Sequence, residues 1–163
     1  MGDRIRLRQE AFSRLGEVLS AEKLGPVDGV LFDLGMCSRH LEDRERGFSY
    51  QHPGPLDMRM DRRQSLTAAD LVNQLSEEEL SFIISRYGEE RWARRIAHRI
   101  VQTRARRPIR TTEDLVEIVR DAVPAPARRR GGHPARRTFQ ALRIAVNREL
   151  EHLEQGLEQA VAA

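Results

Sequence analysis

The sequence predicts an α/β chain, with part of a doubly wound parallel sheet at its start and helices through most of the remainder. Three observations carry this expectation. Residues 28–33, DGVLFD, form an apolar run with no polar face between its two aspartates, as in a parallel strand covered on both sides. A helical stretch from Phe12 to about Leu24 separates it from a short alternating segment with Ile5 and Leu7, giving the order strand, helix, strand. Beyond Gln64, apolar residues recur at helical spacing between Ser, Thr, Gly and Pro boundaries. Two strands fall short of the roughly five or six of an average sheet, so only part of such a sheet is expected.

Taken in order, the first helix ends at Gly25 and Pro26, and the strand that follows delivers Asp33 into a long polar loop. From Gly35 to Gln64 there is little periodicity, but RGFSY and GPLDMRMD place apolar residues at intervals, which predicts an ordered loop. Thr67 can cap AADLVNQL, and Ser76 with Glu79 forms a capping box before LSFIISRY. Gly88 stops that helix. The next carries Trp92, Ile96 and Ile100 on one face and arginines on the others, and Pro108 closes it. Thr112 opens EDLVEIVRDAV, and the Pro, Gly and Arg-rich PAPARRRGGHPARR follows as a connector. One last helix begins near Pro134, with an apolar stripe of Phe139, Leu142, Val146, Leu150, Leu153 and Leu157. A seam that long needs a cover, and a second copy of the chain, as a homodimer, is one way to supply it.

A length of 163 residues suits one domain, or one and part of another. With 33% charged and 5% aromatic residues, the core must come from Leu, Ile, Val and Ala. No run approaches the roughly 20 apolar residues of a membrane helix, so no membrane partner is expected. MGDRIRLRQE lacks an apolar signal region, which makes the cytoplasm the expected location. The single cysteine, Cys37, excludes an intramolecular disulfide and a thiolate zinc cluster.

The net charge of +3 hides an uneven distribution. Nine arginines lie between Arg86 and Arg110 against Glu89 and Glu90, and seven between Arg128 and Arg148 with no acid. Such blocks suit a nucleic-acid phosphate backbone or a solvated surface. Lys23 is the only lysine, a bias that reflects genomic composition more readily than function.

Asp33 lies where ligands bind in open α/β sheets, beyond the carboxyl end of a strand, although an aspartate there also caps turns. His40, seven residues on, reads as a base, a ligand or a plain polar loop residue. His52, Asp57 and Asp61 follow no recognised metal-ligand spacing, so no metal site is expected. RRGGHPARR lacks the strand that a phosphate loop needs before it, and reads as a flexible basic connector. Arg136, Arg143 and Asn147 fall near one side of the last helix, as an RNA-contacting face or a solvated one.

Four segments, DGVLFDLGMCSRHLEDRERGFSY, GPLDMRMD, YGEERWARRIAHRIV and HPARRTFQALRIAVNRELE, together resemble the bacterial ribosomal-RNA small-subunit methyltransferase H family, also called MraW, in order and spacing over essentially the whole chain. The resemblance implies a Rossmann-like methyltransferase core with an inserted helical domain. It also implies methyl transfer from S-adenosyl-L-methionine to the exocyclic N4 of a cytidine in the decoding region (P site) of 16S rRNA, with the small ribosomal subunit as partner. Residues 1–45 would then be part of the core, 46–135 the helical insertion with its basic connector, and 136–163 a long helix returning to the core. Phe12 and Asp33 match cofactor-contacting positions, and His40 stands where relatives commonly have glutamine. Arg59, Arg136, Arg137, Arg143 and Asn147 are the RNA-binding candidates within the matching motifs. Cys37 replaces a serine of the family's loop. The family's glycine-rich cofactor loop and the acidic residue that holds the ribose are expected upstream of Met1, and a further conserved segment beyond Ala163, which makes the chain an expected central fragment. Gly131, Gly132 and His133 align with the connector instead.

The implied chemistry asks for alignment of a delocalised amine nitrogen with the methyl sulfonium, and for loss of a proton. Asp33 is the candidate for the orienting role. The target base must leave its stack, so Phe48 or Tyr50 is a candidate to stack on displaced RNA, or else a loop anchor. The alternative is a non-catalytic RNA-binding helical module, which accounts for the arginine clusters without a cofactor.

Overall fold

The computed structural model describes residues 5–128 and 132–163, and these divide into two compact units. The first comprises Met1–Gly35 with Arg148–Ala163, the second Met36–Asn147. Arg129, Arg130 and Gly131 of the basic connector, and Met1–Arg4 ahead of the first expected strand, lie outside the described residues.

The second unit holds the hydrophobic core. It contains α2 (Ser38–Glu42), α3 (Ala68–Gln74), α4 (Glu77–Gly88), α5 (Ala93–Arg104), α6 (Thr112–Ala122), α7 (Ala125–Arg128) and α8 (Arg136–Val146). Three of these helices start on reciprocal capping boxes, Thr67 with Asp70, Ser76 with Glu79, and Thr111 with Asp114, each satisfying backbone donors that have no partner inside the helix. Their apolar faces meet: α4 packs on α5 and α8, and α5 on α6. Leu80, Ile84, Ile96, Ile100, Leu115, Val119 and Leu142 are wholly enclosed, each such side chain contributing about 1.5–3 kcal/mol by leaving water. α4 and α8 cross closely at Gly88, where an added Cβ would lie 2.5 Å from the Arg137 carbonyl oxygen. Only glycine allows that approach.

The loop before α3 is ordered by its backbone. Leu56 donates to the Arg110 carbonyl and Thr112 to the Gly54 carbonyl, both at 2.9 Å, around an isolated antiparallel bridge between Pro55 and Thr111. Met58, with φ of 63°, is fully buried and donates to the Arg46 carbonyl at 3.0 Å.

The first unit consists of a 3-10 turn (Phe12–Arg14), α1 (Leu15–Ala21) and α9 (Glu149–Ala162), with α9 packed on the other two. The two expected strands do not form. Residues 5–7 and 28–33 have no regular secondary structure, and Leu31 is 94% exposed. Val27 donates to the Ala163 carbonyl at 3.1 Å, but no ladder forms among the described residues. A strand exists only through partners on its flanks, and local apolar pattern cannot provide them. The sheet is therefore absent from the described residues, which are mostly helical.

The single long helix expected from Pro134 onward is also corrected. It is two helices, α8 and α9, separated at Asn147 and Arg148, where Arg148 takes the left-handed conformation with φ of 48°. The apolar stripe continues across the break in sequence but changes character: Phe139, Leu142 and Val146 are buried, whereas Leu150 and Leu157 are each 48% exposed. No helix among the described residues is long and apolar enough to cross a membrane.

Candidate functional site

Phe12 and Asp33 both belong to the first unit. The 3-10 turn places Phe12 against α9, its ring edge-to-face with Phe32 at 5.6 Å and with His152 at 6.3 Å. Gly156 makes room for it: a Cβ there would lie 2.7 Å from Phe12 Cδ2. The turn is fixed by two side chains of α9. Ser13 Oγ is 2.7 Å from His152 Nδ1, and Gln159 accepts from the Gly16 amide at 2.7 Å while donating to the Ser13 carbonyl. Phe12 thus remains 38% exposed on a rigid seat. Phe32, its edge-to-face partner, precedes Asp33, whose side chain is exposed just before Gly35, at φ of 98°. An open aromatic face and an acceptor-only carboxylate are the groups that suit an adenine ring and the donors of a cationic cofactor.

His40 belongs to the second unit, in α2. Its ring lies 5.2 Å from the Phe48 ring, and its Nδ1 is 3.7 Å from Cys37 Sγ. Burial, and secondarily the Arg46 charge, pull its pKa below the usual imidazole value, with Asp43 opposing. The neutral ring keeps one acceptor nitrogen for a ligand.

All five RNA-contact candidates lie in the second unit, in different settings. Arg59 pairs with Asp57 at 2.8 Å and donates to the Gln64 carbonyl at 2.7 Å, which ties it into its own loop. Burial alone would raise the Asp57 carboxyl, but side-chain and backbone hydrogen bonds from Arg59 outweigh it and hold the group below its ordinary range. Asp61 is pulled to about 2, chiefly by the Arg63 side chain. Asn147 is buried, with its amide on the backbone of Met58 and Met60. Arg143 is half-buried. Arg136 and Arg137 are exposed at the start of α8, and Arg137 donates to the Glu89 carbonyl at 2.9 Å.

Phe48 is 4% exposed and anchors the loop in the core. Tyr50 stacks on His133 at 4.6 Å and meets Phe139 edge-on at 5.9 Å. Two contributors escaped the sequence reading. Glu90, 7% exposed, accepts from the Trp92 amide at 2.8 Å and so closes the start of α5. Arg46 donates to the carbonyls of Arg59 and Met60, both at 2.8 Å. No sequence signal marks Glu90, which lies outside the cap position of α5, or Arg46.

The chain thus comprises a helical unit rich in exposed arginine and another unit whose N-terminal segment presents an aromatic ring, Phe12, and a carboxylate, Asp33. Residues 1–163 match the MraW methylase family throughout, and the chain belongs to that family. It is 58% identical over 160 residues to the ribosomal RNA small subunit methyltransferase H of Symbiobacterium thermophilum, an alignment covering 98% of this chain and 50% of that protein. The protein of the same name from Acidothermus cellulolyticus is 57% identical over 161 residues, covering 99% and 49% respectively. That from Halothermothrix orenii is 52% identical over 157 residues, covering 96% and 50%. The chain therefore spans about half the length of these relatives.

Proposed function

We propose that the chain is the central part of an S-adenosylmethionine-dependent methyltransferase that modifies the exocyclic N4 of a cytidine in the decoding region of 16S rRNA, in the cytoplasm. The observation that carries this reading is the whole-chain family match together with relatives above 50% identity that are named for small-subunit rRNA methylation. In this reading the extended segment 28–33 is a strand of a Rossmann-like core, and its exposed Val30 and Leu31 are the surfaces that sheet neighbours cover.

The residues present suit the cofactor. Phe12 offers an aromatic face, held in place by Gly156 and His152, and Asp33 offers an exposed carboxylate. Bound S-adenosylmethionine supplies a methyl group on a positively charged sulfur. Asp33 orients the cofactor or the incoming amine by accepting its hydrogen bonds, and His40 is, by the family resemblance, a further hydrogen-bonding candidate for the cofactor. The exposed arginines of that unit meet the RNA phosphates.

A calorimetric titration with S-adenosylmethionine, paired with an assay of labelled methyl transfer to unmodified small subunits, tests the reading. Saturable binding lost in Asp33→Ala supports it. A folded chain that takes up no cofactor favours the second reading, a non-catalytic RNA-binding module. The self-contained core of residues 36–147, whose sequence includes the first arginine cluster and all of the second but Arg148, supports that alternative.

A further inference from the structure

The strongest uncommitted feature of the second unit is a groove of about 740 Å³ between the start of α5 and the start of α8. That volume falls in the range of sites that enclose small organic groups. Its walls include Arg91, Trp92, Pro124, His133, Arg136 and Arg137. Trp92 is half-buried, with the Arg91 guanidinium 4.5 Å and the Arg95 guanidinium 5.6 Å from its ring centroid. Neither Arg91 nor Arg136 has a carboxylate partner among the described residues. Glu90 turns inward to the Trp92 amide, which leaves Glu89 as the exposed acid of the groove.

We propose that this groove seats a short single-stranded RNA segment, with a base stacked on the Arg91 and Trp92 pair and phosphates held by Arg136 and Arg137. The proposal rests on the RNA-binding part of the function above and assigns it a location. Unstacked bases are held on aromatic rings and on guanidinium planes, and the Arg91 and Trp92 pair offers both in one stack. Arg137 spends one donor on the Glu89 carbonyl, which fixes its direction, and keeps its other N–H groups for a phosphate. Arg136 beside it has no hydrogen bond to another described side chain. A peptide of aspartate and glutamate would match the charge but has no aromatic ring for the stack.

Trp92 is the only tryptophan of the chain, so indole fluorescence reports binding at its ring, and the Arg136 and Arg137 variants assign that binding to this groove. The full chain is titrated with a short oligouridylate while binding is followed independently by anisotropy of labelled RNA. The expected result is saturable quenching in parallel with anisotropy. In Arg136→Gln/Arg137→Gln the dissociation constant rises about tenfold or more, and the salt slope falls by about 1.4 for two lost phosphate contacts. Arg136→Gln alone, which touches no internal hydrogen bond, should show about half that change in slope and guards against misfolding.

RNA binding with unchanged indole emission and an unaffected double variant would overturn the groove while leaving RNA binding intact. Equal quenching by polyglutamate would make it an acidic-peptide surface and overturn the proposal. No RNA binding by a cooperatively folded chain would overturn the proposal together with the RNA-binding reading, whereas cofactor binding is read separately by calorimetry.

Discussion

The Asn147 side-chain amide donates to the Met58 carbonyl at 2.8 Å, and its oxygen accepts from the Met60 amide at 2.7 Å. A residue at the end of α8 thereby closes a loop almost ninety positions earlier in the chain. Asn147→Ala would leave buried backbone groups without partners, at about 1–3 kcal/mol each. The expected loss is about 2–4 kcal/mol by urea unfolding, and Asn147→Asp, which keeps the acceptor but loses the donor, should not restore it. A loss below the scatter of surface substitutions would show that water replaces the amide.

Gly88→Ala sets two effects against each other. Alanine favours the helix by about 1 kcal/mol, but its Cβ would press on the Arg137 backbone oxygen, which cannot swing away as a side chain does. Overpacking of about 1–3 kcal/mol should win, giving a lower thermal midpoint. A rise in midpoint would mean that α4 and α8 separate freely.

Acid stability follows from Asp57 and Asp114. Burial raises both carboxyls, yet hydrogen bonds from Arg59 to Asp57, and from Arg110, Arg107 and Thr111 to Asp114, bring both below the ordinary range. The unfolded chain takes up protons near pH ~4 and the folded chain only at lower pH. Their contribution is therefore complete above about pH 5 and is lost as pH falls through the folded values. The urea midpoint should be level from neutral pH to about 5 and then decline. Asp57→Asn should lower the plateau and flatten the decline; an unchanged profile would remove Asp57 from the account.

Gly156→Ala tests the seat of Phe12. The new methyl would meet Cδ2 of the ring, which can rotate away at little cost to folding. Cofactor affinity in the calorimetric titration should fall by about tenfold or more with the thermal midpoint nearly unchanged. Full affinity in a folded variant would separate Phe12 from the cofactor.

Helix starts were legible because they depend on neighbours three residues apart: Thr67 and the Ser76 box lie where the pattern puts them. Thr112 was legible as the beginning of α6, although the cap itself is Thr111. The division of the last helix was not legible, because the apolar repeat runs through Asn147 and Arg148 without a Gly or Pro. The break falls at Arg148, in the left-handed conformation, next to Asn147, whose side chain is held by the distant backbone of Met58 and Met60. DGVLFD reads as a strand for a local reason, and its unpaired state shows that a strand is a property of several segments. At the site, Phe12 and Asp33 were selected by motif, whereas the support of Phe12 by His152, Gly156 and Gln159 links residues far apart in sequence. No local pattern contains that link.

The contact between Ser13 and His152 joins residues 139 positions apart. During synthesis at about 5–20 residues per second, roughly 7–28 seconds pass between the emergence of the two. The helical unit gains its last core residue, Val146, only six residues before His152, so its core closes late in that interval, and Phe12 waits ten residues longer, for Gly156. Ribosomal pacing thus leaves both units open until their last helices emerge, and a chain halted before that point would hold α4 without α8 and Phe12 without its seat.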